Sequence, residues 1–234
     1  MRRLVVGDVH GDLERLFEAL QPYPPAEWET LFLGDLVDGG AFGAGALRYA
    51  RDRPHSELLL GNHEVTMLWA LRDRGRLPYW MGMGGQTHDL EELRRRPDLV
   101  DWLRSRPLLK LLPDGTLAQH TDTDAYRRLG TTCAEINAAA HHLLHHEGEA
   151  ELNDILAAGR VFRRSAERLE TWLQTHGAAR LIHGHTPHSR PGPDAYAGGR
   201  AIDFDGRFSR FYGSRYGRGR AAAATVGPLP PLVD

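Results

Sequence analysis

The apolar positions of this chain fall into two periods. Leu4-Val5-Val6, Leu31-Phe32-Leu33 and Leu58-Leu59-Leu60 are continuous apolar runs, as expected of parallel strands buried on both faces. After the first run, Leu13, Leu16, Phe17 and Leu20 repeat at helical spacing. Each interval between runs reads as helix then strand, which predicts parallel strands with polar loops at their C-terminal ends. Val65, Leu68, Trp69 and Leu71 give a helix over 64–74 an apolar face. The stretch 76–86, rich in glycine and aromatics, reads as a loop, and 89–95 and 98–105 read as helices before Pro107. A strand over 117–120 follows the turn Pro113-Asp114-Gly115. An alanine-rich helix is expected over 124–146, another helix over 165–176, and a strand over 180–183. Segments 200–204, 207–212 and 221–226 read as strands of a second sheet, joined by turns at Asp205-Gly206 and 216–219. The proline-rich 227–231 should resist regular structure and lie along the surface.

The three apolar runs end on glycine followed by metal-donor residues: Gly7-Asp8-Val9-His10-Gly11, Gly34-Asp35-Leu36-Val37-Asp38 and Gly61-Asn62-His63-Glu64. Asp8, Asp35 and Asn62 follow one another at intervals of 27 residues, close to the roughly 30 of a βαβ unit. The C-terminal ends of neighbouring parallel strands gather such donors into one crevice. Carboxylate, imidazole and amide oxygen suit hard or borderline divalent metals. Asp8 and His10, two residues apart, can share one side of the backbone and grip one ion. Asp35 would bridge to a second ion, which Asn62 would serve. Strand 117–120 ends on His120, where a ligand could sit, and the same device recurs where 180–183 runs into Gly184-His185-Thr186-Pro187, so His120 and His185 are further ligand candidates. His183 is read as packing or support, and His141, His142, His145 and His146 as a solvated helix face. Trp80, Met81 and Met83 are read as core or loop packing.

Composition narrows the class. The 234 residues, 41% of them hydrophobic, are enough for one domain over 1–234 with an irregular tail from about 227. A net charge of −2 gives no global pull towards nucleic acid. One cysteine, Cys133, excludes an intramolecular disulfide framework and points to a reducing cytoplasm. Gly7-Asp8 interrupts the first apolar run before a signal-peptide core could form. No apolar stretch approaches the roughly 20 residues that span a bilayer, so no membrane partner is expected.

With these motifs in view, the chain resembles the calcineurin-like metallophosphoesterases, and within them the bacterial branch of the phosphoprotein phosphatase group, from Val5 to about Tyr212. Residues 8–11 match Asp-X-His-Gly, 34–38 match Gly-Asp-X-X-Asp, 61–64 match Gly-Asn-His-Glu and 184–186 match Gly-His-Thr. Gly84-Gly85 is similar to a glycine pair of the bacterial members. The resemblance implies an α/β fold, an αββα sandwich of two packed mixed sheets flanked by helices. It implies that Asp8, His10 and bridging Asp35 hold one divalent ion, and that Asp35, Asn62, His120 and His185 hold a second. Manganese is expected, with iron, zinc and nickel as alternatives. His63, oriented by Asp38, would protonate the leaving group, and Arg163 or Arg164 would contact the substrate phosphate.

The chain departs from the family pattern twice. Gly39 stands where an arginine usually contacts phosphate, and Thr121-Asp122 follows His120 where Ala-Gly is usual. Pro187, in place of the second histidine of Gly-His-X-His branches, favours the phosphoprotein-phosphatase-like ligand set. The implied reaction is phosphate ester hydrolysis by in-line attack of a hydroxide bridging two ions about 3.5–4 Å apart. A phosphatase is the leading expectation, acting on a phosphoprotein, small phosphate ester or nucleotide. A dinucleoside polyphosphate hydrolase, a phosphodiesterase and a catalytically weak metal-containing binding module are the alternatives. Without an arginine at position 39 a monoester dianion is less neutralised, which points towards diesters and polyphosphates.

Overall fold

The computed structural model describes residues 1–211 and 222–232. Strand β1 (Arg2–Val6) leads through helix α1 (Leu13–Leu20) to β2 (Trp28–Phe32), and α2 (Gly43–Asp52) leads on to β3 (Ser56–Leu58). β1 pairs with β2 and β2 with β3, all parallel. Next come α3 (Asn62–Arg72), α4 (Leu77–Gly82), α5 (Thr87–Arg95) and α6 (Pro97–Arg104), then β4 (Leu109–Leu111) and β5 (Thr116–Gln119). Helices α7 (Cys133–His145), α8 (Glu149–Leu156), α9 (Val161–Arg164) and α10 (Ala166–Thr175) precede β6 (Arg180–His183). Strands β7 (Asp194–Tyr196) and β8 (Ala201–Asp203) follow, and a helical turn α11 (Ala222–Thr225) runs directly into β9 (Val226–Pro228).

The strands form two mixed sheets, ordered β3-β2-β1-β9 and β4-β5-β6-β8-β7. The continuous apolar runs now have a cause. Val5, Leu31, Leu33, Leu59, Ala118, Ile182 and Phe204 form one buried cluster, whereas their neighbours Leu4, Val6, Phe32, Leu58, Leu60, Leu117 and Leu181 belong to another that includes the helices. Alternate side chains point to opposite faces of a strand, so a strand with sheet on one face and helix on the other can spare no polar position. This is the sandwich of two mixed sheets with helices outside that the motifs implied.

Several expectations fail for local reasons. The stretch 76–86 is no open loop: a 3₁₀ turn over Arg74–Arg76 continues into α4. Pro78 falls within the first turn of that helix, where its missing N–H costs no hydrogen bond. The expected helix over 124–146 is broken into a 3₁₀ turn, Ala125–Arg128, and α7. Thr132 caps α7 and Glu135 reaches back to it, a capping box that starts a fresh helix. Helix α8 and edge strands β4 and β7 were not foreseen.

At the C-terminus, 207–211 forms no strand, and residue 212 and the expected turn at 216–219 lie outside the described residues. The alanines of 222–225 make a helical turn in place of a strand, in line with their propensity. Val226–Pro228 pairs antiparallel with β1, adding an edge to the first sheet and not the second, so 227–228 is regular after all. Pro228 is tolerated because it ends an edge strand.

Candidate metal centre

Five strand exits converge. Asp8 and His10 follow β1, Asp35 follows β2, Asn62 follows β3, His120 follows β5 and His185 follows β6. The first three come from one sheet and the last two from the other, each at the C-terminal end of a strand within a parallel pair. Close backbone approach makes this possible. A Cβ on Gly61 would lie 2.1 Å from Asp35 Oδ1, and one on Gly184 would lie 2.2 Å from Asp8 Oδ1. His10, Asp35, Asp38 and His185 all adopt positive φ, at 47°, 53°, 67° and 64°. Such left-handed backbone is costly for residues with side chains and collects where function over-determines the geometry.

Two triads share one carboxylate. Ligand atoms of His10, Asp35 and His63 lie within 4.8 Å of one another, and so do those of Asp35, His120 and His185. Asp35 Oδ2 is 3.3 Å from His120 Nε2 and 3.9 Å from His63 Nε2. Asn62 Oδ1 lies 3.2 Å from His120 Nε2. Asp8 Oδ2 is 3.8 Å from His10 Nε2, and both Asp8 oxygens accept from the His185 backbone N–H. All these side chains are buried except that of His185, which is half-buried.

The donors fit divalent cations. His120 Nδ1 donates to Leu33 O at 2.9 Å, and His10 Nδ1 lies 3.3 Å from Val37 O. Those contacts fix the tautomer that leaves Nε2 to coordinate, as metal-binding histidines require. Electrostatics point the same way. Burial, then the charges of Asp205 and Asp35, push the Asp8 carboxyl well above its usual range. Burial would raise Asp35 too, yet His120 and His63 pull it well below. Burial takes His10 down to about 3 and His185 to about 4, so both stay neutral and keep a lone pair. Crowded carboxylates beside neutral imidazoles are the surroundings that a cation relieves.

His63 differs from its neighbours. Its Nδ1 donates to Asp38 Oδ2 at 2.7 Å, and the second Asp38 oxygen accepts from Trp80 Nε1 at 2.8 Å. Burial alone would lower its pKa, but Asp35 and the Asp38 hydrogen bond outweigh that and raise it to about 9. Sequence reasoning gave Trp80 only a packing role, and missed Glu64 as the residue that joins the loops. The Glu64 carboxylate accepts from the backbone N–H groups of Asp35, Leu36 and Gly61 at 2.8, 2.6 and 2.9 Å. Its place in the third motif was the available signal; for Trp80, 42 residues from Asp38, there was none.

The two expected arginines separate. Arg163 ion-pairs with Asp203 at 2.7 Å and Asp194 at 2.9 Å and lies over the Tyr196 ring. Arg164 is exposed and faces a cavity beside His185. Gly39 adopts φ +81° and donates to Gly84 O at 2.8 Å, which gives both the departure and the glycine pair a backbone cause. His183 is buried and supports the fold, its Nε2 2.9 Å from the Tyr196 hydroxyl. The exposed rings of His141 and His145 lie tilted with centroids 4.3 Å apart on α7, and those of His142 and His146, the latter just past its end, stack at 4.0 Å.

The family model for calcineurin-like phosphoesterases matches residues 1–189. A relative named symmetrical bis(5'-nucleosyl)-tetraphosphatase, from Actinobacillus pleuropneumoniae serotype 3, is 33% identical over 138 residues, covering 57% of this chain and 50% of its own length. One of the same name from Methylococcus capsulatus is 35% identical over 108 residues, covering 44% and 37%. The match thus spans half or less of these relatives. Among solved structures, the cold-active protein-tyrosine phosphatase of a psychrophile Shewanella species superposes with a TM-score of 0.67 at 20% identity, covering 98% of this chain and 80% of its own. A protein serine/threonine phosphatase from Saccharomyces cerevisiae reaches 0.59 at 13% identity, covering 100% and 81%. These two likenesses bear on the fold, which is theirs. The matched family model takes in all the strand exits described above, and the chain belongs to the calcineurin-like phosphoesterase family.

Proposed function

We propose that the chain is a phosphoric ester hydrolase working with two divalent cations, Mn²⁺ being the ion of choice, on a substrate that carries a polyphosphate, such as a dinucleoside tetraphosphate. The observation that carries the dinuclear reading is the single Asp35 carboxylate, set between His10 on one side and His120 with His185 on the other. Asp8, His10 and Asp35 would hold one cation, and Asp35, Asn62, His120 and His185 the other. When bound, such a pair polarises a phosphoryl oxygen and lowers the pKa of water enough to make a nucleophile near neutral pH. Iron, zinc and nickel suit the same donors.

The chain's own groups do the rest. His63 Nε2 faces Asp35 while its Nδ1 is tied to Asp38. A ring held protonated by a buried carboxylate has no lone pair for a metal and has a proton for the leaving oxygen, so we assign it as general acid. Asp38 orients that ring and sustains its charge. Of the expected arginines, Arg164 has its guanidinium available for phosphate, whereas Arg163 is spent on Asp203 and Asp194.

The polyphosphate reading draws on two features: the relatives are named tetraphosphatases, and Gly39 offers no clamp for a monoester dianion. The cytoplasm is the proposed location. Among the described residues, no helix is long and apolar enough to cross a membrane. The direct test is steady-state hydrolysis by Mn²⁺-loaded protein of a dinucleoside tetraphosphate, an aryl phosphate and its diester. The tetraphosphate should give the highest kcat/KM. A clear preference for the aryl monoester would reject the substrate class, and release of no product from any of the three would favour a binding module.

A further inference from the structure

We propose that the cavity between the 159–164 turn and the 186–188 segment is a second anion subsite, holding the phosphates of a polyphosphate chain beyond the one attacked. The inference rests on the polyphosphate reading above and deepens it. The cavity measures about 330 Å³ and is lined by Arg160, Arg163, Arg164, Thr186, Pro187 and His188. That is at the small end of ligand pockets, which run from about 300 to 1,000 Å³, and leaves room for phosphate groups.

Its position follows from the candidate ligand His185. A Cβ on Gly159 would come within 3.0 Å of the His185 ring, and Thr186 is the next residue along. Both walls are fastened to Asp122. Asp122 Oδ1 accepts from the Arg160 N–H at 2.6 Å and from Thr186 Oγ1 at 3.0 Å, and its backbone oxygen accepts from Val161 and Phe162 at 3.1 and 3.2 Å. Arg160 is thereby held at φ +62°, a backbone that residues with side chains seldom adopt. The cavity mouth is fixed by the same loop that delivers His120.

The local charge favours an anion. Arg163 is balanced by Asp194 and Asp203. His188 has both ring nitrogens engaged, Nε2 with Asp203 O at 3.2 Å and Nδ1 with the Arg190 N–H at 3.1 Å, so it serves as wall. Arg160 and Arg164 are exposed and have no ion-pair partner among the described residues. Both line the cavity, Arg160 as the left-handed residue before α9 and Arg164 as the last residue of that helix. The buried Asp122 carboxylate lies behind them, and the two guanidiniums are the exposed charges of the cavity lining. Paired guanidinium forks match phosphate oxygens. Binding strength absent at Gly39 is thus supplied beyond the attacked phosphorus, where only a polyphosphate reaches it.

The test uses the Mn²⁺-loaded full chain, Arg160→Ala and Arg160→Lys. Substrates are a dinucleoside tetraphosphate and an aryl monophosphate, and calorimetric titration uses inorganic tripolyphosphate. Arg160 is exposed, and circular dichroism checks that the variants fold. Losing one charge-assisted contact should raise KM for the tetraphosphate and Kd for tripolyphosphate by about tenfold or more. Tetraphosphate kcat and aryl phosphate kcat/KM should move by far less, and Arg160→Lys should recover part of the loss. Equal losses on both substrates, or unchanged tripolyphosphate affinity, would overturn the subsite. Wild type that binds tripolyphosphate through Arg160 yet hydrolyses no dinucleoside polyphosphate would sustain the subsite and contradict the proposed substrate.

Discussion

The indole nitrogen of Trp80 donates to Asp38 Oδ1 at 2.8 Å. Because His63 holds the other oxygen, Trp80 fixes the residue that fixes the proposed acid. Trp80→Phe keeps most of the apolar bulk but leaves a buried carboxylate oxygen without its donor, at a cost of about 1–3 kcal/mol. The drop should appear in the denaturant midpoint, accompanied by a loss of kcat with little change in KM.

Removing the acid itself separates proton transfer from cation binding. His63→Asn should lower kcat by about 10²–10⁴-fold, the usual contribution of general acid catalysis, with the metal content unchanged. Elemental analysis showing the cations lost along with activity would instead make His63 a ligand.

The pH profile follows from the same pair. Hydrogen bonding to Asp38 and the charge of Asp35 raise His63 to about 9 against the opposing effect of burial. A general acid works while protonated, so kcat should fall as pH rises through the His63 pKa. Asp38→Asn removes one of the raising influences. The alkaline limb must then move to lower pH, towards the ordinary histidine value of about 6.5. An unmoved limb, followed by kcat across pH 6–10, would show that Asp38 does not control the proton.

Steric prediction is equally direct. Gly61→Ala would put a methyl 2.1 Å from Asp35 Oδ1, with the backbone of Asp35 close behind. Asp35 must move, so cation affinity and turnover should collapse together. Gly82→Ala is the matched control, since a Cβ there meets nothing within 4 Å. Titration with Mn²⁺ should distinguish the two.

Gly39→Arg restores the family residue in sequence, yet it should not restore a phosphate clamp. At φ +81° a side chain costs about 1–2 kcal/mol. The variant should therefore lose stability without gaining aryl monoester turnover; a gain in that turnover would count against the structural account of this departure.

Much of the centre was legible in sequence because strand and ligand are contiguous. An apolar run followed by glycine and a donor marks both the element and its exit, and the structure places Asp8, Asp35, Asn62 and His185 at such exits, with His120 following its strand without a glycine. What escaped was long-range. Trp80 reaches Asp38 across 42 residues, and Asp122 binds Arg160 and Thr186 across 38 and 64; no local pattern encodes such pairs. Elements were misjudged where short signals overrode broad ones. Thr132 and Glu135 restart a helix inside an alanine-rich stretch, and 226–228, which ends on a proline, gains regularity by pairing with β1.

The central claim is that Asp35 joins two cations. Anomalous diffraction at the manganese edge, on crystals grown with Mn²⁺, tests it most directly. The account requires two peaks about 3.5–4 Å apart, with Asp35 between them, and loss of both in Asp35→Asn. A single peak, or two peaks that persist without the Asp35 carboxylate, would contradict it.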